Sequence, residues 1–257
     1  MIQARTGSSR FKNKVISKIM DKPILYHIIR RIQRAEYVTK IIVATTNNSE
    51  DRILERITDA CNVSIFFGSS EDVLDRYYQT AKNFDLSNIV RITADCPVID
   101  PKILDSTIEK FCTDTNDYVS NCLTRTFPEG MSVEVFSFKA LHKCWRESVW
   151  MSEREHVTPY IWKNPALFKS TELLNKAGNQ GHIRLTVDYP NDLELVRLIY
   201  QNLFPVNPYF SMPDIIQFLG QNPSLLNMNR NTSSIEWYRA SLKNDHVAID
   251  KCGHPER

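Results

Sequence analysis

The 257 residues, 42% hydrophobic and 24% charged, are enough for one large core, either a single domain or a domain with an inserted lobe. No apolar run approaches the 18 or so residues of a transmembrane span, the N-terminus lacks a signal-peptide core, and six scattered cysteines show no C-x-x-C pair or zinc-like spacing. A membrane protein, a disulfide scaffold and a zinc module are thereby set aside, and a cytoplasmic protein with reduced thiols is expected. The net charge is only +2, yet residues 1–40 carry ten Lys/Arg against two Asp/Glu. That basic pole suits a small polyphosphate; no basic stripe with interleaved aromatics points to nucleic acid.

In chain order, a short apolar start of about three residues runs into a loop at 5–14. A central strand usually has five or six residues, so either the chain starts upstream of Met1 or the strand is clipped. A helix follows over 23–35, with Asp21 at its N-terminal end and Pro23 in its first turn. Strand 40–45, helix 49–60, strand 63–67, helix 71–84, strand 88–93 and helix 101–112, capped by Asp100, complete a βαβαβα order. This predicts an α/β fold with a mostly parallel sheet flanked by helices. Beyond residue 120 the pattern loosens: a strand at 131–136, a helix opened by a capping-box spacing from Ser152 to Glu155, and strands at 167–173 and 182–187. Residues 121–180 read as a substrate-facing lobe or dimer arm within one domain, 1–242. Helices are expected at 190–203, at 212–219 and around 234–242, and a flexible tail from 243, in which Cys252 and His254 are loose residues, not a metal pair.

The loop Ile2-Gln-Ala-Arg-Thr-Gly-Ser-Ser-Arg-Phe-Lys-Asn-Lys14 carries the chemistry. Gly7, Ser8 and Ser9 let backbone N–H groups approach an oxyanion, and Arg5, Arg10 and Lys14 neutralise its charge. It matches neither the P-loop nor the dinucleotide fingerprint. A solvated turn has the same composition, but the place between the first strand and the first helix is where α/β sheets bind ligands. Asp95 and Asp188 each follow a strand and could project to the same crest. Neither is needed as a helix cap, because Asp100 caps one following helix and Tyr189, Pro190 and Asp192 start the other. Arg76 is either a site residue or half of a helix-surface ion pair with Asp72. His27 and His142 read as packing or surface residues.

Ile-Gln-Ala-Arg-x-Gly-Ser-Ser-Arg-(x)3-Lys resembles the opening of the cytidylyltransferases that make CMP-activated acidic sugars, especially the SpsF-like branch. Further resemblance lies, in order, in Asp21-Lys-Pro23, Val43-Ala-Thr-Thr46, Gly68-Ser-Ser-Glu-Asp-Val-Leu-Asp-Arg76, Arg91-Ile-Thr-Ala-Asp-Cys-Pro97, Arg154-Glu-His156 and Arg184-Leu-Thr-Val-Asp-Tyr-Pro-Asn-Asp192. Lys12-Asn13 stands where the family has Pro-Gly; Asn tolerates left-handed backbone, so the turn is expected to survive.

The resemblance implies a nucleotide-diphospho-sugar transferase (GT-A-like) fold and transfer of CMP from CTP to an acidic, ulosonic sugar, with pyrophosphate leaving, for surface polysaccharide synthesis. It implies that Ala4, Arg5, Gly7 and Ser8 hold the nucleotide, with Arg76 nearby, that Arg10 and Lys14 meet the β- and γ-phosphates, and that Asp95 and Asp188 hold Mg²⁺. Arg154, Glu155 and His156 would stand at the sugar end, with Arg on a carboxylate and His on hydroxyls or a proton; Glu134 would face the sugar from its strand. A homodimer is implied too. Two alternatives stay open: a GT-A-type glycosyltransferase, which has less need of Arg10 and Lys14, and a non-catalytic nucleotide-binding protein. The identity of the sugar rests on the shape of the 121–180 region.

Overall fold

The structure, a computed structural model, describes residues 1–229, 241–243 and 245–248. The order is β1 (Ile2–Gln3), a hairpin of β2 (Lys18–Ile19) and β3 (Lys22–Pro23), α1 (Ile24–Ile32), β4 (Ile42–Thr46), a 3-10 turn Ser49–Arg52 leading into α2 (Ile53–Cys61), β5 (Ser64–Gly68), α3 (Val73–Asn83), β6 (Asn88–Thr93), α4 (Pro101–Thr113), β7 (Tyr118–Ser120), β8 (Glu134–Ser137), α5 (Phe138–Glu147), α6 (Met151–His156), α7 (Pro159–Lys163), β9 (Ser170–Glu172), α8 (Pro190–Leu203) and α9 (Met212–Gln221). The sheet order is β5-β4-β1-β6-β8-β7-β9. β5, β4, β1 and β6 run parallel, β8 is antiparallel to both β6 and β7, and β9 is parallel to β7. The mostly parallel sheet expected from the βαβ order is therefore present, and residues 121–180 supply two of its strands.

Alternation along the strands sends side chains to two cores. On one face Ile2, Val43 and Ile92 pack with the apolar stripe of α1 and with Leu104, Leu195, Val196 and Ile215. On the other, Ile42, Ala44, Ile89, Tyr118 and Phe136 pack with Leu74 and Tyr77 of α3 and Leu141 of α5. Each fully buried aliphatic side chain contributes about 1.5–3 kcal/mol of transfer free energy. β1 has only two residues, and the Met1 ammonium, buried and pushed down to about 5 by desolvation, donates to the Val90 carbonyl at 2.7 Å. Ile2 is in register with Val43 and Ile92, so the loop after β1 emerges between β4 and β6 at the crest.

Several expectations are corrected. The hairpin β2–β3 was not foreseen, because its turn is Met20-Asp21 and not Asn-Gly; both residues take left-handed φ, 45° and 66°, as a mirror-image turn demands. Asp21 is thus a turn residue and does not cap α1. Residues 182–187 form no strand beyond a single bridge of Arg184 with Glu129; they are held by Leu185 N–H on Glu129 O and Val187 N–H on Asp95 O. α6 begins at Met151 after Trp150, and Ser152, inside it, gives its N–H and hydroxyl to Asp245 instead of forming a capping box. Residues 245–248 are not a loose tail: Met151 N–H bonds His246 O and Ala248 N–H bonds Val149 O. Most of the helix expected around 234–242, and Cys252 and His254, lie outside the described residues. Asp100 does cap α4, accepting from Lys102 N–H at 2.8 Å, and Asn13 does take the left-handed turn, at φ 62°. His27 is a packing residue, with Nε2 on the Ile19 carbonyl. Among the described residues no helix is long and apolar enough to cross a membrane.

Candidate active site

The cationic loop is fixed from beneath by one carboxylate. Asp51, buried at the start of α2, accepts the Thr6 N–H and the Thr6 hydroxyl at 2.6 Å each, and its other oxygen accepts the Thr46 hydroxyl. The Thr6 carbonyl in turn accepts Ser8 N–H and Asn13 N–H, both at 2.9 Å, closing the two turns of the loop. Charge-assisted bonds of this kind are short and about twice as strong as neutral ones. Sequence reasoning missed Asp51, because its partners lie on another element and its own position reads as an ordinary helix start.

At the crest, the loop cations meet the two carboxylates singled out in the sequence. Arg10 Nη2 lies 2.8 Å and Lys14 Nζ 2.9 Å from Asp188 Oδ1, and Lys14 Nζ is 3.6 Å from Asp95 Oδ2. Asp95 is held by the Thr93 hydroxyl, and its carbonyl accepts Val187 N–H at 2.8 Å, which draws residue 188 alongside. Burial opposes the charge on Lys14 and on Asp95, but each offsets it for the other: the amine stays above and the carboxyl below its ordinary value. Arg184, also missed, anchors the rear. Its guanidinium reaches Asp188 Oδ2 at 2.9 Å, Asp192 Oδ2 at 3.2 Å and Glu129 Oε1 at 2.7 Å, and although burial works against it, Asp192 and Glu129 keep it charged. Asp192 supports the start of α8 as expected, accepting Tyr189 N–H, but it also accepts Asp188 N–H and holds Arg184. It therefore sets the position of Asp188.

The remaining candidates divide. Ala4, Gly7 and Ser8 line the loop beside exposed Arg5. Arg76 is no surface residue: it is 1% exposed, donates to the Ser69 carbonyl at 2.5 Å, and is pushed down to about 10 by burial, with the nearby Arg5 charge adding to the fall. Its Nε is buried without a partner. Arg154 points away from the loop; its guanidinium is spent on Asp72 at 2.6 Å and on the carbonyls of Trp145 and Ser148. His156 contacts the Ser241 hydroxyl at 3.2 Å and is pushed down to about 3, mainly by burial and then by the Arg91 charge. Glu155 is half exposed beside it. Glu134 is buried, with one oxygen accepting Tyr118 and Thr158 hydroxyls at 2.8 and 2.6 Å and the other taken by Arg91. Between His156 and Thr158, Val157 sits at φ 73°, ψ −51°, and Thr158 N–H bonds His156 O: a β-branched residue in a left-handed γ-turn, costing about 1–3 kcal/mol.

Two hard carboxylates converging on one ammonium suit a divalent cation that keeps waters and phosphate oxygens as its other ligands, as magnesium does. They do not form an all-protein cage, and among the described residues no group of three or more potential ligands does so.

The sequence profile of the family described as cytidylyltransferase matches residues 1–208. An uncharacterized protein of Methanocaldococcus jannaschii is 39% identical over 236 residues, covering 90% of this chain and 93% of that one. The spore coat polysaccharide biosynthesis protein SpsF of Bacillus subtilis is 30% identical over 229 residues, covering 87% and 94%. A cytidylyltransferase structure from Leptospira borgpetersenii superposes with a TM-score of 0.84 at 33% identity, over 90% of this chain and 96% of that one. With a cationic loop facing paired carboxylates on the matching fold, the chain belongs to the cytidylyltransferase family and is a nucleotidyltransferase.

Proposed function

We propose that this protein transfers CMP from CTP to the anomeric hydroxyl of an acidic sugar, releasing pyrophosphate, in the synthesis of a surface polysaccharide. The observation that carries the reading is the convergence of Arg10 and Lys14 on Asp188 and Asp95, beside a loop whose backbone is pinned by Asp51. In this chemistry the acceptor oxygen displaces pyrophosphate at the α-phosphorus, and the protein's part is positioning and charge stabilisation. Arg10, partly exposed, turns from Asp188 to the outer phosphates, and Lys14 stays at the boundary between phosphates and carboxylates. Arg184 and Asp192 keep Asp188 in place while its loop-side partners change. Mg²⁺ bound at Asp95 and Asp188 would supply neutralisation of phosphate charge. Arg76, buried next to Arg5 with an unspent Nε, suits an anionic or carbonyl group of the nucleotide. The working form, on this reading, is a cytoplasmic homodimer, checked by sedimentation.

The test is thermal stabilisation by nucleotides with Mg²⁺, since a ligand bound only by the native state raises stability by mass action. CTP is expected to raise Tm more than ATP, GTP or UTP, and an acidic sugar added with CTP to release pyrophosphate. Equal shifts with all four nucleotides would remove the cytidine assignment.

A further inference from the structure

Beside the crest, on the face that carries α3 and α6, Arg91 stands on β6 two residues before Thr93, the residue that holds Asp95. Two residues of strand span about 6–7 Å, and the guanidinium reaches Gln3, the β1 residue in register with Thr93. Its Nη1 pairs with Glu134 and its Nη2 donates to Gln3 Oε1 at 3.2 Å, Gln3 being the last residue of β1 before the phosphate loop. Glu134 accepts from Arg91 with one oxygen and from the Tyr118 and Thr158 hydroxyls with the other, so three of its roughly four acceptor sites are occupied. What it fixes is the plane of Arg91.

Arg91 itself is not fully used. Among the described residues its Nε is buried without an acceptor in good geometry; the wholly buried Tyr77 hydroxyl lies close enough to the same guanidinium to feel its charge but completes no well-formed hydrogen bond. Nε and Nη2 form one edge of the fork, the edge that matches a carboxylate with two parallel bonds. In this structure one end of that edge is taken by an uncharged amide oxygen from a partly exposed glutamine, and the other end by no well-formed bond. Of the basic groups on α6, Arg154 is committed to Asp72 and two carbonyls, and His156 is kept neutral by its burial; Arg76, whose Nε is also unspent, lies beside Arg5 of the loop and is assigned above to the nucleotide.

Resting on the cytidylyltransferase reading above, we infer that Arg91 is the receptor for the acceptor's carboxylate, with the Gln3 amide yielding its place to that group. Glu134, Tyr118 and Thr158 are positioning residues that hold the fork facing it. The acceptor class is accordingly a sugar acid bound by its carboxylate next to the hydroxyl that attacks, and selectivity against neutral sugars resides in this pair of strand residues and not in Arg154.

The experiment compares eight- and nine-carbon 2-keto-3-deoxy sugar acids with their methyl esters as acceptors, with CTP and Mg²⁺, reading pyrophosphate release and nucleotide-induced Tm shifts. Wild type should use at least one acid and discriminate against its ester by tenfold or more. Because removing Arg91 alone strands a buried carboxylate, the variant is the double Arg91→Met/Glu134→Gln, which removes both charges together. It should keep the CTP-induced shift and the KM for CTP within about twofold while the KM for the acid rises at least tenfold toward that of the ester. Gln3→Met, which leaves the ion pair intact, should change the KM for the acid and not for CTP, and it carries the test if the double variant does not fold. An unchanged acid KM in the double variant, or in Gln3→Met if that is the variant that folds, overturns the inference. So does a wild type that treats acid and ester alike, or that binds CTP and uses only neutral sugars, and either of those results leaves the cytidylyl reading standing. Absence of any CTP-induced shift in wild type removes that reading first, and this inference with it.

Discussion

Two clusters of charge in the molecule are built on opposite plans. At the crest, Asp188 alone receives Arg10, Lys14 and Arg184, and Lys14 is shared between two carboxylates. Under α6, Arg154 is matched with Asp72, and its remaining donors go to fixed backbone carbonyls. An over-supplied carboxylate can release one cation to an incoming phosphate without being left bare. A matched buried pair cannot, because removing either partner strands the other. The first plan suits exchange of partners during a reaction, and the second suits holding two helices together.

The largest effects should come from the crest. Asp95→Asn and Asp188→Asn are each expected to lower turnover by about 10²-fold or more, since on the proposed function each removes charge from the place where phosphate and metal would meet. Pyrophosphate release would measure this, and the two variants should differ in melting: Asp188→Asn withdraws the common partner of three cations and should lower Tm more than Asp95→Asn, which withdraws one partner of Lys14 at 3.6 Å. Wild-type turnover in Asp95→Asn would break the crest side of the comparison. Asp192→Asn cannot serve as a catalytically silent control, because Asp192 also holds Arg184 and the backbone of Asp188.

Next in size is the matched pair. Arg154→Met should cost about 2–3 kcal/mol of stability, the worth of charge-assisted bonds with a partner that is only partly buried, with kcat and both KM values close to wild type in the folded fraction. Loss of activity at equal folding would show that Arg154 reaches the substrate after all. The smallest effect concerns acid. His156 is held to about 3, so between pH 6.5 and 3 the unfolded chain takes up a proton that the folded chain refuses. Stability from this residue is present above pH 6.5 and falls as pH drops, by about 2 kcal/mol between pH 7 and 4.5. The difference between wild type and His156→Asn in urea midpoints across that range should report it; parallel curves would mean that the ring takes up its proton in the folded state.

The half that carries the cationic loop and the two crest carboxylates was legible because its signals are local. Strand, small-residue loop and helix follow one another, and Asp95 and Asp188 could be freed from cap duty by looking a few residues ahead to Asp100, Tyr189 and Pro190. The 121–180 region was not, because its meaning lies in partners far along the chain. Arg154 lies 82 residues from Asp72 and Glu134 43 residues from Arg91, and no periodicity announces either match. An Arg next to Glu-His read as a sugar clamp; burial and a carboxylate from α3 make Arg154 a strut. Asp51 and Arg184 went unremarked for the same reason. The segment at 182–187 has the composition of a strand, but it finds a single bridge to Glu129 and spends its other backbone bonds on loop carbonyls.

Val157 shows how the turn between α6 and α7 is kept in shape. A chain left to its own preferences would put glycine at a left-handed γ-turn, yet the residue is a valine, 1% exposed and packed into the core shared by α3 and α5. The backbone is bent there because the side chain is captured, and the bend aims Thr158 at Glu134. The course of this turn is therefore inherited from the hydrophobic interior, as a casting is from its mould. Exchanging a side chain that packs elsewhere in this segment therefore leaves the bend in place, whereas shrinking Val157 releases it.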